Sequence, residues 1–213
     1  MSFPIPDSFI APVFRKPVCA KFAIPIFLLG LMLCGRCGGM TVVPPAFADL
    51  VARADRIVRV RVTAVASTWD DPTGPKAIHT AVTFRILRTL KGQSGETLVL
   101  RFLGGQVGEV TMAVPGMPVF DVGGTYILFV RRNLNAFCPL VGVMHGSYRV
   151  AQDPATGAEH ISRSNSEPLR SIADVNTPMD SVVPPATGTG APAMTRDSFE
   201  NAILGELGHA RGQ

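Results

Sequence analysis

The side chains that could carry out hydrolysis are few and scattered along this sequence. The four histidines are His79, His145, His160 and His209. His145 precedes Gly146 and Ser147, but a nucleophilic serine needs its base within hydrogen-bond reach, an orienting acid and an oxyanion hole. Neighbouring positions of a strand point to opposite faces, so a turn that leads into a strand explains these three residues better. A hydrolase that uses His145 or the pair Asp70 and Asp71 is therefore the alternative hypothesis.

Metal and redox chemistry also lack a well-placed set of ligands. No two histidines have the i, i+4 spacing of a zinc-binding helix, and short strands could at most bring together Cys138, His145 and His160. Cys34 and Cys37 have the C-x-x-C spacing of thiol-disulfide oxidoreductases, but no strand or helix is predicted that would place them at a helix N-terminus. The sequence therefore predicts no catalytic residue, no metal and no cofactor.

A glycine-rich segment, Gly104-Gly105-Gln-Val-Gly108, follows a predicted strand as a phosphate-binding loop would. It lacks the Gly-Lys-Ser/Thr ending, and it leads into another predicted strand where a phosphate loop leads into a helix. A bulge or a sharp corner between strands is the better explanation of these glycines.

Arginines alternate with apolar residues on three successive predicted strands. They are Arg59, Arg61, Arg85, Arg88 and Arg101. Alternation places them on the solvent side of each strand, and small OB-type barrels often bind nucleic acid on such a face. Aromatic residues that could stack on bases are scarce there, so no nucleic acid partner is expected. The face is predicted to be solvated or to bind an acidic extracytoplasmic protein or polysaccharide.

Residues 1–48 predict an export signal. Arg15, Lys16 and Lys21 precede an uncharged apolar run of about fourteen residues, 22–35. A membrane-spanning helix needs roughly 20 residues, whereas the apolar core of a signal peptide has roughly 7–15. We therefore expect a periplasmic or extracellular protein that keeps no stable membrane span after cleavage.

Two cleavage sites are consistent with this leader. Ala46-Phe47-Ala48 satisfies the small-x-small rule and would make Asp49 the first mature residue. Cleavage near Gly39 would instead preserve an amphipathic helical pattern that begins at Phe47. The apolar positions that follow Phe47 in this pattern are Leu50, Val51 and Ala54.

Removal of the leader changes both the charge and the cysteine content. The whole chain has a net charge of +4, but residues 49–213 hold 16 basic and 15 acidic side chains, a net charge of +1. A generally basic, nucleic-acid-binding protein is therefore not expected. Cys138 is the one cysteine after residue 48, so it is predicted to be a buried thiol, with pairing between chains as the alternative.

Period-two alternation predicts an all-β domain over residues 49–164. Strands are expected at 57–65, 78–90, 97–102, 107–114, 126–131, 140–143, 147–151 and 160–163. Turn formers separate them without intervening long helices, which favours a barrel or a sandwich. The first two strands are long enough to serve two edges, so we predict a small OB-like barrel of five or more antiparallel strands with a short N-terminal helix.

The C-terminal part of the chain changes composition. Residues 165–195 are rich in Pro, Gly, Ser and Thr and predict an extended, mobile linker. Residues 196–213 contain a helix in which Phe199, Ile203 and Leu207 form one apolar stripe. An isolated helix of this length is marginal in water, so we expect the stripe to pack on the barrel, with a partner protein as the alternative.

Three segments of the predicted strands resemble a known family. They are residues 54–58 (ADRIV), 82–92 (VTFRILRTLKG) and 123–129 (GGTYILF). Residues 50–131 thereby resemble bacterial secreted proteins related to the netrin module and the tissue inhibitors of metalloproteinases, which share an OB-type barrel. In those inhibitors an N-terminal cysteine chelates the zinc of the protease. Asp49 or Gly39 stands at that position here, so the resemblance implies the fold and an exported, inhibitor-like binding or accessory module, without this inhibitory mechanism.

Overall fold

The computed structural model describes residues 43–70, 77–131, 137–153, 156–179 and 192–211. These all belong to one compact unit, Met40–Gln213. The helices are α1 (Phe47–Arg53) and α2 (Arg196–Arg211), and two 3₁₀ helices cover Val143–Gly146 and Ile172–Asn176. The strands are β1 (Arg56–Trp69), β2 (Ile78–Lys91), β3 (Thr97–Leu103), β4 (Gly105–Val107), β5 (Val110–Met112), β6 (Thr125–Val130), β7 (Ser147–Gln152) and β8 (Glu159–Arg163). The predicted leader lies outside the described residues.

The strands form one antiparallel sheet of six and a separate hairpin. The order in the large sheet is β3-β2-β1-β6-β7-β8, and β4 pairs with β5. The structure is therefore mostly β, as the alternation predicts, with a helix before and a helix after the strands. No helix in the described part of the chain is long and apolar enough to cross a membrane.

The predicted strand at 107–114 is wrong. The chain instead makes the short hairpin β4-β5, in which Val107 pairs with Val110. Gly108 between them has a φ of 61°, and Gly105 at the start of β4 has a φ of 139°. Glycine adopts positive φ without steric cost, so Gly108 reverses the chain between the two strands where the predicted strand would have to continue.

The predicted strand at 140–143 is also wrong. Leu140 makes one isolated bridge to Val130, after which the chain turns into the 3₁₀ helix Val143–Gly146. Gly142 and Val143 both have positive φ, at 64° and 56°, which is incompatible with an extended strand.

Alternation along the strands produces two hydrophobic cores, one on each face of the large sheet. On what we call the hairpin-side face, Val58, Val60 and Val62 of β1 pack with residues such as Phe84 and Phe120. On the opposite, helix-side face, the core includes the following residues: Leu50, Ile57, Phe129, Tyr148, Leu169, Phe199 and Ile203. Strand β6 contributes to both cores, which explains why the residues after Thr125 in this strand are all large and buried.

Helix α2 packs on the helix-side face, which confirms the predicted role of its apolar stripe. Phe199 and Ile203 are fully buried, and Leu207 packs at the edge of the same core. The ring centroids of Phe199 and Tyr148 are 4.9 Å apart. Thr195 caps the helix, because its Oγ1 accepts a hydrogen bond of 3.2 Å from the backbone N–H of Ser198.

Residues 165–179, the first half of the predicted linker, are folded instead of extended. They carry the 3₁₀ helix Ile172–Asn176, and Leu169 and Val175 are fully buried in the helix-side core. The side chain of Asp174 caps this turn by accepting hydrogen bonds from the backbone N–H groups of Ser171 (2.8 Å) and Arg170 (2.9 Å). Residues 180–191, the centre of the predicted linker, lie outside the described residues.

Candidate functional site

Four of the five predicted arginines form a compact block on the helix-side face. Arg59 is directly opposite Arg88, and Arg61 is directly opposite Arg85, in the pairing of β1 with β2. Arg59 and Arg61 are two positions apart on β1 and therefore point to the same side. We call these four residues the arginine block.

Half of the arginine block, Arg59 and Arg88, is paired with one buried carboxylate from α2, which offsets one of its two positive charges. Glu200 is 1% exposed, and its Oε2 accepts a hydrogen bond of 2.5 Å from Nη1 of Arg88. Its Oε1 lies 3.2 Å from Nη1 of Arg59, within ion-pair range but outside hydrogen-bond geometry. The contact joins residues 112 positions apart in the chain, and it holds the C-terminal helix against the sheet.

Arg61 and Arg85 form the other half, which we call the open pair. Both side chains are exposed, and neither makes an ion pair within the described residues. Two like charges directly opposite each other on neighbouring strands destabilise a sheet. The open pair therefore has an unfavourable charge arrangement that an acidic ligand would relieve.

A polar concavity of about 620 Å³ adjoins the open pair. Arg61 lines it, together with Arg149, Gln152, His160 and Ser162. Arg149 is already paired, since its Nη1 donates a hydrogen bond of 2.7 Å to Oδ2 of Asp121. Arg61 is thus the arginine of this concavity that keeps its guanidinium available.

The fifth predicted arginine, Arg101, belongs to a different cluster. Its guanidinium forms an ion pair with Asp70, and Nδ1 of His79 lies 2.7 Å from the second carboxylate oxygen of Asp70. The hairpin register brings these groups together, because Trp69 pairs with Ile78 at the ends of β1 and β2. Asp70 is one of the candidate acids of the hydrolase hypothesis, and its histidine partner in the structure is His79. Asp71 lies outside the described residues.

The Asp70–His79 pair lacks the other parts of a hydrolytic site. The contact does not meet hydrogen-bond geometry, and neither residue lines the apolar cavity of about 350 Å³ or the polar concavity of about 620 Å³. Among the described residues, no hydroxyl group is hydrogen-bonded to His79. A general base acts on a nucleophile only when the two are within reach in a site that admits the substrate.

Of the remaining candidate residues, His145, Ser147 and Cys138 are buried, whereas His160 is half-buried and His209 is exposed. His145 is 1% exposed in the 3₁₀ helix, and Ser147 is buried at the start of β7. Cys138 lies in the hairpin-side core, where burial raises the pKa of its thiol to about 11, so the reactive thiolate is scarce at neutral pH. Among the described residues no group of three or more potential ligands could hold a metal, so Cys138, His145 and His160 do not form the considered site.

Comparison with known proteins does not assign the chain to a family. No protein-family model matches it, and no curated protein matches it.

Proposed function

We propose that this chain is an exported, non-catalytic binding module that binds an acidic segment of a partner protein at the open pair, Arg61 and Arg85. The observation that carries the proposal is the direct cross-strand opposition of two exposed arginines without a carboxylate partner among the described residues. Such an arrangement costs stability in the free protein. A carboxylate that binds both guanidinium groups would remove this repulsion, and the free energy so gained would add to the affinity.

The chemistry of the other half of the block favours a protein carboxylate as the ligand. Glu200, presented by a helix, binds Arg59 and Arg88 within the molecule. Side chains opposite each other on antiparallel strands have Cβ atoms about 4.5–5.5 Å apart, and residues one turn apart on a helix have Cβ atoms about 5–6 Å apart. The two spacings match, so a helix with two acidic residues one turn apart fits the open pair.

We further propose that the six-stranded sheet is the coiled sheet of a partly open OB-type barrel, which is the fold that the netrin-module resemblance implies. In support, β1 pairs with β2 and with β6, and its pairing with β2 has three register shifts. Such bulges increase the local twist and bend a sheet. An experimental structure with a flat sheet would contradict this proposal. An inhibitor-like role belongs to the same class of function, because it requires only binding.

A fluorescence-anisotropy titration of the full chain with a labelled helical peptide that carries two glutamates one turn apart tests the binding proposal. Replacement of the open pair by Arg61→Gln and Arg85→Gln is expected to weaken binding about tenfold, because about 1.4 kcal/mol is lost over two exposed contacts. The matched control replaces two other exposed arginines, Arg53→Gln and Arg131→Gln, and removes the same charge.

The control variant is expected to change the affinity by less than about twofold, and added salt is expected to weaken wild-type binding. Equal losses in the two double variants would mean that net charge, not this site, drives binding. Binding of polygalacturonate by the wild type without binding of the peptide would replace the protein partner by an acidic polysaccharide.

The Asp70–His79 pair supports the second candidate function, a hydrolase. Hydrolysis of para-nitrophenyl acetate by the full chain, measured with and without His79→Ala, separates the two functions. We expect no hydrolysis that depends on His79. A rate that falls at least tenfold in the variant would favour the hydrolase.

A further inference from the structure

A cavity on the hairpin-side face of the sheet has the size and lining of a small-molecule site. Its volume is about 350 Å³, within the roughly 300–1,000 Å³ usual for such sites. The large sheet contributes Val65 and Phe102, and the hairpin and the loop after it contribute Met112, Met117 and Phe120. Methionine side chains adapt to the shape of a ligand, so this wall can accommodate an apolar molecule.

Two hydroxyl groups are the polar side chains of this lining within the described structure. Oγ1 of Thr80 donates a hydrogen bond of 2.7 Å to the backbone oxygen of Gly104, which uses its one proton. Oγ of Ser67 lies 2.9 Å from Oγ1 of Thr80, so in this contact Ser67 must be the donor. Both protons are therefore committed, and Ser67 presents only acceptor lone pairs to the cavity.

The backbone of Gly105 fixes this hydroxyl pair in place. A Cβ atom at Gly105 would lie 2.3 Å from Oγ1 of Thr80 and 2.5 Å from Oγ of Ser67. Only glycine permits this approach, and its φ of 139° is rare for other residues. The acceptor is thus positioned at the wall of an apolar cavity by its hydrogen bond with Thr80 and by the close backbone of Gly105.

We propose that this cavity binds an uncharged, apolar small molecule that donates a single hydroxyl or amine proton to Oγ of Ser67. An apolar body gains free energy by leaving water, and a donor satisfies the acceptor that would otherwise be buried unpaired. A carboxylate is excluded because no Lys, Arg or His lines the cavity within the described residues. The cavity lies on the hairpin-side face and is therefore separate from the open pair, which lies on the helix-side face.

Isothermal titration calorimetry of the full chain with para-butylphenol, para-butylanisole and para-butylbenzoate tests the proposal. The phenol and the anisole share the apolar body, but only the phenol has a proton to donate. We expect the phenol to bind at least tenfold more tightly than either of the others. In Ser67→Ala the phenol should bind as weakly as the anisole, whose affinity should not change. Equal affinities of phenol and anisole for the wild type, or no binding of any probe, would overturn the proposal.

A matched pair of tryptophan substitutions locates the binding. Val65 lines the cavity and is 40% exposed, whereas Val99 is 58% exposed on β3, outside the cavity. Val65→Trp should fill the cavity and abolish phenol binding, and Val99→Trp should leave it within twofold of the wild type. Phenol binding that survives Val65→Trp would also overturn the proposal.

Discussion

Glu200 holds helix α2 against the sheet through its contacts with Arg59 and Arg88. Its carboxylate is almost fully buried, while Arg59 is partly buried and Arg88 is 48% exposed. Breaking a fully buried ion pair costs about 3–5 kcal/mol. Because Arg88 remains partly solvated, we expect Glu200→Gln to lower the free energy of unfolding by about 2 kcal/mol, measured by urea denaturation.

Glu206→Gln is the control for this prediction, since it makes the same chemical change on the same helix at a residue without an ion pair among those described. The two variants should differ clearly in stability, and equal stabilities would contradict the structural role of Glu200. Glu200→Gln also frees Arg59 and Arg88. The folded variant should therefore bind the acidic peptide several-fold more tightly than the wild type.

Asp174 makes the stability of the 3₁₀ helix Ile172–Asn176 dependent on pH. Burial acts to raise the pKa of Asp174, but the hydrogen bonds from Ser171 and Arg170 outweigh it and hold this pKa below its usual value. The folded state therefore favours the carboxylate, and its contribution is present above the unfolded pKa of about 3.9 and is lost as the pH falls through the folded value.

Asp174→Asn is consequently expected to reduce the free energy of unfolding at pH 7 by about 1 kcal/mol, the usual value of a cap. The difference between variant and wild type should shrink as the pH falls from about 4 toward 2, because the wild-type carboxyl is then protonated. Urea denaturation between about pH 2 and pH 7 measures this difference. Asp49→Asn, the same chemical change at an exposed aspartate, is the control. If the difference in free energy of unfolding between Asp174→Asn and the wild type stayed constant down to pH 2, the carboxylate would not be its cause.

At the scale of elements, helix α2 completes the helix-side core. Phe199 is fully buried against Tyr148 and Phe129, whereas Leu204 on the outer side of the same helix is 39% exposed. Phe199→Ala should lower the free energy of unfolding by about 3–5 kcal/mol because it opens a cavity in the core. Leu204→Ala should lower it by less than about 1 kcal/mol. Deletion of residues 195–213 should lower the melting temperature. Similar losses in the two alanine variants would contradict the docked helix.

The helix and the long strands were predictable because their patterns are local. Phe199, Ile203 and Leu207 repeat every four residues, and the alternation in β1 and β2 assigns each arginine to a face. Residues 169–175 were mistaken for linker because Ser, Pro and Asn surround them. Leu169, Ile172 and Val175 nevertheless repeat every three residues, which is the period of a 3₁₀ helix and the signal that was missed.

The candidate site was only half predictable for the same reason. Alternation identified the arginines, but the ion pairs of Arg59 and Arg88 depend on Glu200, which lies 112 positions beyond Arg88 and further still from Arg59. The diversion of Arg101 to Asp70 likewise depends on the register of a hairpin. Tertiary contacts of this kind decide which arginines stay open, and no local pattern contains them.

In the whole molecule, α1 bears on where the predicted leader would be cleaved. The ring centroids of Phe47 and Phe199 are 6.0 Å apart. Leu50 and Val51, also in α1, are buried in the helix-side core. Cleavage after Ala48 would remove Phe47 and shorten the helix. We therefore expect the exported protein to begin near Gly39, which intact-mass analysis of the secreted or periplasmic fraction would show. A mature chain that begins at Asp49, or an uncleaved chain in the cytoplasm, would contradict this expectation.

The central claim is that the open pair binds an acidic partner, and arginine side-chain NMR tests it most directly. Titration of the ¹⁵N-labelled full chain with the two-glutamate helical peptide follows the Nε–H signal of each arginine separately. We predict that the largest shifts occur at Arg61 and Arg85, with smaller shifts at Arg59 and Arg88, which Glu200 already engages. Shifts centred on Arg101, or spread evenly over all exposed arginines, would contradict the claim.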